Sequence, residues 1–540
     1  MKKMTTLVAL ALTFAVAMQA TRPLRRVLTD KATGKSVVLD KPLPTFPDIE
    51  APKSALAPKV VALPHGLGTY GKSAGGAVPS VGDIVIPVVM VEFADRAFQS
   101  ATTIEKVSRL LNEAGYADEA ALGGRGSVRD YFLAQSAGLF CPEFRVVAKV
   151  RVSKATAEYG RHSGSSVDVN APSLVREAVD LAEKQGVDFS AFVSSGSVPL
   201  VSIYFAGPGE QSSYETGSEN YLWAHFRQSA WNSSAGVRFN SYFVGNELLQ
   251  GYFDAEGKTH KDAEGNYIPQ SAEIDGMGIF VHEFGHALGL PDLYYTGSNA
   301  TVSDTLQTMN LWSVMDYGNY YYDGYCPVGY TAYERAFCGW LRVEELSEAG
   351  YYELAAPTAA EAGKAYLIRN DANADEYYML ENRQVSDYYP STMGHGLLVL
   401  HVDYASSAWT SNSVNNTPSR QRVQYMPADG KKQSLSGGSV AWSDWQGDLF
   451  PGLAGVTELS DASAVKMTAY TGGLMHKPIY NIAEKNGIVS FSFLDSKLTG
   501  IDAAPAEDAA PAEFYDLGGR RVNRAVRGIY IGNGRKILVR

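Results

Sequence analysis

From Asp83 onward the apolar positions fall into two patterns. Ile84-Val-Ile-Pro-Val-Val-Met-Val-Glu-Phe93 is an almost unbroken apolar run, and Arg145 to Val152 and Val201 to Phe205 are shorter ones. Runs of that length, rich in β-branched residues, predict buried strands. Thr103 to Ala114, Val128 to Ser136 and Ser173 to Gln185 instead repeat apolar residues every three or four positions, which predicts helices with one face on a core. Strands alternating with helices suit a twisted mixed sheet. Val237 to Leu249 predicts a further strand beside a cleft, open to pairing with an extended peptide through its backbone. After Leu341 the chain breaks into short apolar runs separated by Gly, Asn, Asp and Ser, ending with Val489 to Phe493. That spacing predicts an all-β module, expected as a sandwich. It reads as a recognition surface or as a folding partner for the preceding part.

The ends differ from the middle. Lys2 and Lys3 precede an apolar run from Leu7 to Ala17, with small residues at Ala17 and Ala20. This is the pattern of a secretory signal peptide over 1–20, too short to span a bilayer. The mature protein is expected outside the cytoplasm, secreted or at the cell surface. Residues 21–82 are rich in Pro, Lys, Ala and Gly and predict a pro-segment or linker. Ala503 to Ala512 is an Ala/Pro linker. Phe514 to Val522 and Gly528 to Arg540 predict a small hairpin unit with a basic end. The expected organisation is therefore 1–20 leader, 21–82 pro-segment, 83–345 first domain, 346–495 β domain, 496–512 linker and 513–540 tail.

The stretch with the most specific chemistry is Gly278-Ile-Phe-Val-His-Glu-Phe-Gly-His-Ala-Leu-Gly-Leu-Pro-Asp292. On a helix, His282 and His286 project from one face, so both imidazoles can hold one Zn²⁺ with Glu283 toward its open side. Phe280, Phe284, Ala287 and Leu288 form the opposite, core-facing stripe. Gly289 allows the helix to stop and Pro291 prevents its resumption. The turn then returns Asp292 toward the metal as a third ligand. Two histidines and a carboxylate leave a fourth position for water, the open arrangement of a catalytic zinc.

Composition narrows the partners. A net charge of −11 argues against nucleic acid. The three cysteines, Cys141, Cys326 and Cys338, are too few for a disulfide scaffold; a Cys326–Cys338 bridge is open, and the odd count leaves a free thiol. None follows the expected leader cut, so no lipid anchor is indicated. Asp-Ala-Glu-Gly occurs at 254 and again at 262, around Lys258-Thr-His260. Turns explain these copies better than an ion site. His225 and His401 lie in apolar surroundings and read as core histidines.

With these residues in view, the sequence resembles the immune inhibitor A-like secreted zinc metallopeptidases, a metzincin-like group. Besides the zinc motif, the resemblance rests on Ser127 to Gly138, Pro327 to Arg335, Gly339 to Leu341, Tyr377 to Arg383 and Gly394 to Asp403, and covers 83–495. It implies an α+β fold: a metzincin-like catalytic domain over 83–345, built from a twisted mixed sheet and the active-site helix, followed by a β domain and the small tail. It further implies that Met315, in Leu311-Trp-Ser-Val-Met-Asp-Tyr-Gly318, is the methionine of a turn beneath the zinc site. Tyr317 matches the tyrosine that some metzincins swing toward the metal. Structural Ca²⁺ is left open by the resemblance, but relatives often carry an Asp/Gly-rich loop after Val-Asp-Phe at 187–189 where this chain reads Ser-Ala-Phe-Val-Ser-Ser-Gly-Ser, which argues against a calcium site at that point. The implied substrates are proteins or peptides, cleaved by a monomer with Glu283 as the base. A pro-segment would restrain such an enzyme, and Asp30, Asp40 or Asp48 could block its metal. The last thirty residues resemble the end of sorting domains read by type IX secretion machinery. Two alternatives stand beside this reading: a zinc hydrolase of a non-peptide substrate, and a secreted binding or adhesion protein with a degenerate site. The intact His282, Glu283 and His286 argue against the second.

Overall fold

The computed structural model describes residues 76–499, except 164–166, 253, 255–257, 300–301, 303–305, 358–362 and 433–441, with short segments at 18–19, 27–29 and 36–38 and parts of 514–539. Apart from those short segments, the expected leader and the expected pro-segment up to residue 75, with Asp30, Asp40 and Asp48, lie outside the described residues, as does the 503–512 linker. Residues 76–82, the end of the expected pro-segment, are described, and Ala77 and Val78 donate their N–H groups to Ala287 O.

The apolar runs form the centre of a mixed sheet. Its main strands are β1 (Gly82–Glu92), β2 (Phe140–Arg151), β3 (Val201–Pro208), β4 (His225–Asn232), β5 (Arg238–Gly251) and β6 (Ser271–Ile274). They lie in the order β4-β5-β3-β1-β2, with β6 beside β5 and Met18–Gln19 on the outer edge of β4. β2, β1, β3 and β5 run parallel, while β4 is antiparallel to β5. A strand's side chains alternate between faces. In β1, Val88 and Met90 enter one core while Val89 and Val91 enter another, so an unbroken apolar run is what burial on both faces requires.

Three helices cover those faces. α1 (Ile104–Asn112) and α2 (Val128–Ser136) join the core that contains Met90; α3 (Ala171–Lys184) covers the other face with Leu174, Val175, Ala178 and Val179. Thr103 caps α1, and Ser127 with Asp130 forms a reciprocal capping box at α2. The strand expected over Val237 to Leu249 is present as β5, but β4 and β3 flank it and β6 pairs its end. Its backbone is therefore committed to the sheet, and the outer position belongs to β4.

Beyond Leu341 two sheets share a core. β7 (Arg342–Glu345), β9 (Lys364–Asn370), β10 (Asn373–Arg383), β11 (Gly396–Asp403) and β12 (Val423–Tyr425) form one; β8 (Gly350–Ala355), β14 (Ile488–Phe493) and β13 (Ile479–Lys485) form the other. Alternation again divides the residues. Tyr378, Leu380, Leu397 and Val399 meet Leu354, Ile479 and Phe491 of the smaller sheet, whereas Tyr377, Met379, Leu398 and Leu400 face the first domain. The larger sheet thus has two buried faces, one of them continuous with the core under the histidine helix. Phe514–Tyr515, Arg521–Val522, Gly528–Gly532 and Arg535–Val539 form a separate four-stranded sheet. Among the described residues, no helix is long and apolar enough to cross a membrane.

The open disulfide question is answered by the thiols, since Cys141, Cys326 and Cys338 are all free and buried. Burial pushes the Cys326 thiol up to about 12 and Cys338 upward as well, which leaves both protonated and inert.

Candidate metal centre

The helix α4 (Gly278–Ala287) carries the histidine motif and is buried along its whole length. Its core stripe meets the sheet and α2 through aromatic contacts: Phe280 with Phe144 and Phe243 at centroid distances of 4.9 and 4.7 Å, and Phe284 with Phe132 and Phe144 at 5.1 Å each. The helix ends where the sequence requires. Gly289 adopts φ +99°, the Gly289 N–H donates to His286 O (2.9 Å), and the Leu290 N–H donates to Gly285 O (3.1 Å). This is the glycine-terminated Schellman arrangement. It also presents Leu290 O to the His286 ring.

Each histidine is oriented from behind. His286 Nδ1 lies 2.8 Å from Leu290 O, and His282 Nδ1 lies 2.8 Å from Val314 O. A carbonyl oxygen only accepts, so each Nδ1 carries the proton and each Nε2 keeps its lone pair for the centre. Asp292 Oδ1 lies 3.1 Å from His282 Nε2 and 3.3 Å from His286 Nε2. Ligands about 2.1 Å from one tetrahedral ion stand about 3.4 Å apart. His282, Glu283 and His286 also offer ligand atoms within 4.8 Å of one another.

His282 Nε2, His286 Nε2, Asp292 Oδ1 and both Glu283 carboxylate oxygens are buried and make no hydrogen bond. Buried polar atoms are ordinarily paired, because stranding one costs about 1–3 kcal/mol. Unpaired atoms of His282, His286 and Asp292 at these separations, with Glu283 beside the two histidines, fit a bound cation. Burial and the neighbouring Asp292 carboxylate push the Glu283 carboxyl well above the usual range, while the facing Phe226 amide works the other way. Burial also acts to raise Asp292, but His286 and His282 outweigh it and hold that carboxyl below its ordinary value.

Met315 lies under the helix. A Cβ built on Gly285 would stand 2.5 Å from Met315 Sδ, so glycine is what allows this close approach. The Met315 carbonyl accepts from the Leu293 N–H at 2.8 Å, fixing the residue after Asp292. The turn through Val314 and Met315 thus supports both His282 and the chain at Asp292. Tyr317 packs with Trp223, Ala224, Ile279 and Tyr320.

Two contributors escaped sequence reasoning. Asn412, from the β module, accepts from the Asp292 N–H through Oδ1 (2.7 Å) and donates through Nδ2 to Asp292 Oδ2 (2.5 Å). Tyr294 follows the motif by two residues, and its ring lies near-parallel to His282 at 6.4 Å. Burial, then the Asp292 and Glu283 carboxylates, raise its phenol well above the usual value. Tyr294 was visible only as another tyrosine near the motif; nothing local marked Asn412. His401 and the Asp-Ala-Glu-Gly turns have ordinary structural partners. His401 stacks between Tyr378 and Tyr470 at 4.3 and 5.0 Å and meets Glu376 at 3.0 Å. Asp262 accepts from the Glu264 and Asn266 amides, as a turn residue does.

A helix thus presents two histidines and a glutamate, and a turn returns an aspartate to them, a donor set able to hold one metal ion. Residues 200–340, which include all four, match the family described as the immune inhibitor A peptidase M6 catalytic domain. The chain is similar to the pre-pro-metalloprotease PrtV of Vibrio cholerae serotype O1, at 26% identity over 272 residues, covering 43% of this chain and 27% of that protein. It is also similar to immune inhibitor A of Bacillus thuringiensis subsp. alesti, at 24% identity over 214 residues, covering 36% of this chain and 28% of that one. The resemblance to immune inhibitor A-like metallopeptidases therefore holds across the segment carrying the centre. The chain spans roughly a quarter of the length of the curated relatives it matches.

Proposed function

We propose that this protein is an exported zinc endopeptidase of metzincin-like arrangement, in which His282, His286 and Asp292 hold the metal and Glu283 is the general base. The observation that carries this reading is the convergence of buried, unpaired donor atoms from those four residues. Zinc bound there supplies a Lewis acid for the scissile carbonyl and acidifies a water at neutral pH. Glu283 accepts the proton of the attacking water and passes it to the leaving amine. The burial that raises this carboxyl when it stands alone also gives it the basicity needed to take a proton. Asp292, held by Asn412, supplies negative charge to the metal and leaves Glu283 to move the proton. Tyr317, by its position after Met315, and Tyr294, by its place beside Asp292 and Glu283, are the phenols assigned to the developing oxyanion.

Substrate binding is assigned to the outer edge of β4. Support comes from Met18–Gln19, which pairs antiparallel there with Phe226 and His225. An extended peptide added in that way draws affinity from backbone hydrogen bonds and so tolerates many sequences. Export is assigned to the leader, and the separate four-stranded tail sheet is the unit a secretion machinery would read.

Glu283→Gln tests the assignment. The variant should retain its zinc while casein cleavage falls by roughly a hundred- to ten-thousand-fold. Cleavage at the wild-type rate would refute the role of Glu283.

A further inference from the structure

A second cluster of metal-ligating side chains lies behind the start of β4. His162, Asp168 and Glu210 come from three segments: the loop after β2, the residues just before α3, and the turn after β3. Their ligand atoms lie within 4.8 Å of one another. His162 Nε2 is 2.9 Å from Glu210 Oε2 and 4.0 Å from Asp168 Oδ1. Asp168 is only 2% exposed, with φ +48°, a backbone conformation that a branchless glycine adopts far more readily. Its Oδ2 accepts from the Trp223 N–H at 2.9 Å and lies 3.5 Å from His225 Nδ1. Its Oδ1 points into the cluster, buried and without a hydrogen bond.

An imidazolium does not account for this arrangement. At 4.0 Å, His162 is beyond hydrogen-bond reach of Asp168 Oδ1, so a protonated ring would serve Glu210 and leave the deeper carboxylate oxygen bare. A cation between the three groups serves all of them. Ligands about 2.1 Å from one ion lie about 3.0 Å apart at a right angle and about 4.0 Å apart at a wide one, which spans the observed separations. One imidazole with two carboxylates suits zinc or a similar borderline divalent metal, whereas calcium takes six to eight oxygens.

We propose that His162, Asp168 and Glu210 form a second, structural zinc-type site. It clips His162 and Asp168 to Glu210 and, through the other oxygen of Asp168, fixes Trp223 and His225 at the start of β4. Phe226 follows directly, with its amide facing Glu283 and its ring 6.5 Å from His286. The clip therefore sets the position of the strand edge beside the first centre. Only this consequence for β4 rests on the peptidase reading; the site itself does not.

The test is metal content of the full chain by mass spectrometry, after dialysis against metal-free buffer, with circular dichroism as the folding control. Wild type should hold two zinc ions per chain, His286→Ala one, His162→Ala one and the double variant none. Asp168→Asn, which keeps an oxygen for Trp223, should also hold one. If the first centre has been misread, His286→Ala keeps the full count while His162→Ala still loses one ion. A single ion in wild type that His162→Ala leaves in place overturns the proposal. So does a folded Asp168→Asn variant with undiminished content, or uptake of calcium in preference to zinc.

Discussion

At the residue scale, the centre depends on one asparagine from the far side of the chain. Asn412 contacts both the backbone and the carboxylate of Asp292, and it does so from φ +51°, with its own carbonyl accepting from Thr296 Oγ1 at 2.6 Å. Partners that orient a metal ligand are typically worth ten- to a hundredfold in affinity. Asn412→Ala is therefore expected to weaken zinc binding by about that factor, read by competition with a chromophoric chelator. Asn412→Asp should do more damage, because it places a second anion against Asp292. Unchanged affinity in the alanine variant would remove Asn412 from the centre. The contrast with His282, Glu283, His286 and Asp292 shows what was legible: those four share one helix and its exit turn, so spacing alone brings them together. Asn412 lies 120 residues beyond Asp292, and no local rule connects them.

Within α4, the two requirements on Gly285 oppose each other. Helix propensity favours alanine over glycine by about 1 kcal/mol. Close packing forbids it, since the added Cβ would stand 2.5 Å from Met315 Sδ and 3.0 Å from Tyr330 Oη. Both neighbours are buried, and overpacking costs about 1–3 kcal/mol, so packing wins. Gly285→Ala should lower the melting temperature and loosen zinc, because the displaced turn also holds His282 and Leu293. Met315→Ala in the same chain should recover part of the loss; strictly additive single and double variants would contradict the assigned contact. The element itself was readable from its histidines, its apolar stripe and Gly289. The strand over Val237 to Leu249 was readable too, but its neighbours were not. An apolar run is the same in a central and an outer position, and only the pairing with β3, β4 and β6 places it inside.

At the scale of the whole molecule, the β module and the first domain share a core, and this was the least legible feature. Short apolar runs between turn residues suit any β module, and nothing in them announces that alternate residues of β10 and β11 serve two different cores. The polar part of that junction has a measurable signature. Trp312 of the first domain donates from Nε1 to Asp448 Oδ2 of the β module at 3.0 Å. Burial pushes Asp448 up to about 8, with Asp429 and Asp444 adding to the rise and Trp312 and Lys432 opposing it. A carboxyl whose folded value lies above its unfolded one holds a proton in the native state that the unfolded chain has released. Stability from this group therefore falls as pH rises from about 4 through 8, the reverse of a salt-bridged carboxylate. Asp448→Asn keeps an acceptor for Trp312 and removes the titration. Urea denaturation of both proteins at pH 5 and at pH 8 should show the variant gaining on wild type at the higher pH. Any pH dependence of metal binding at the histidine centre is common to both chains and drops out of that difference. A gap that stays constant across the range would mean that Asp448 ionises normally and that water reaches the junction between the two cores.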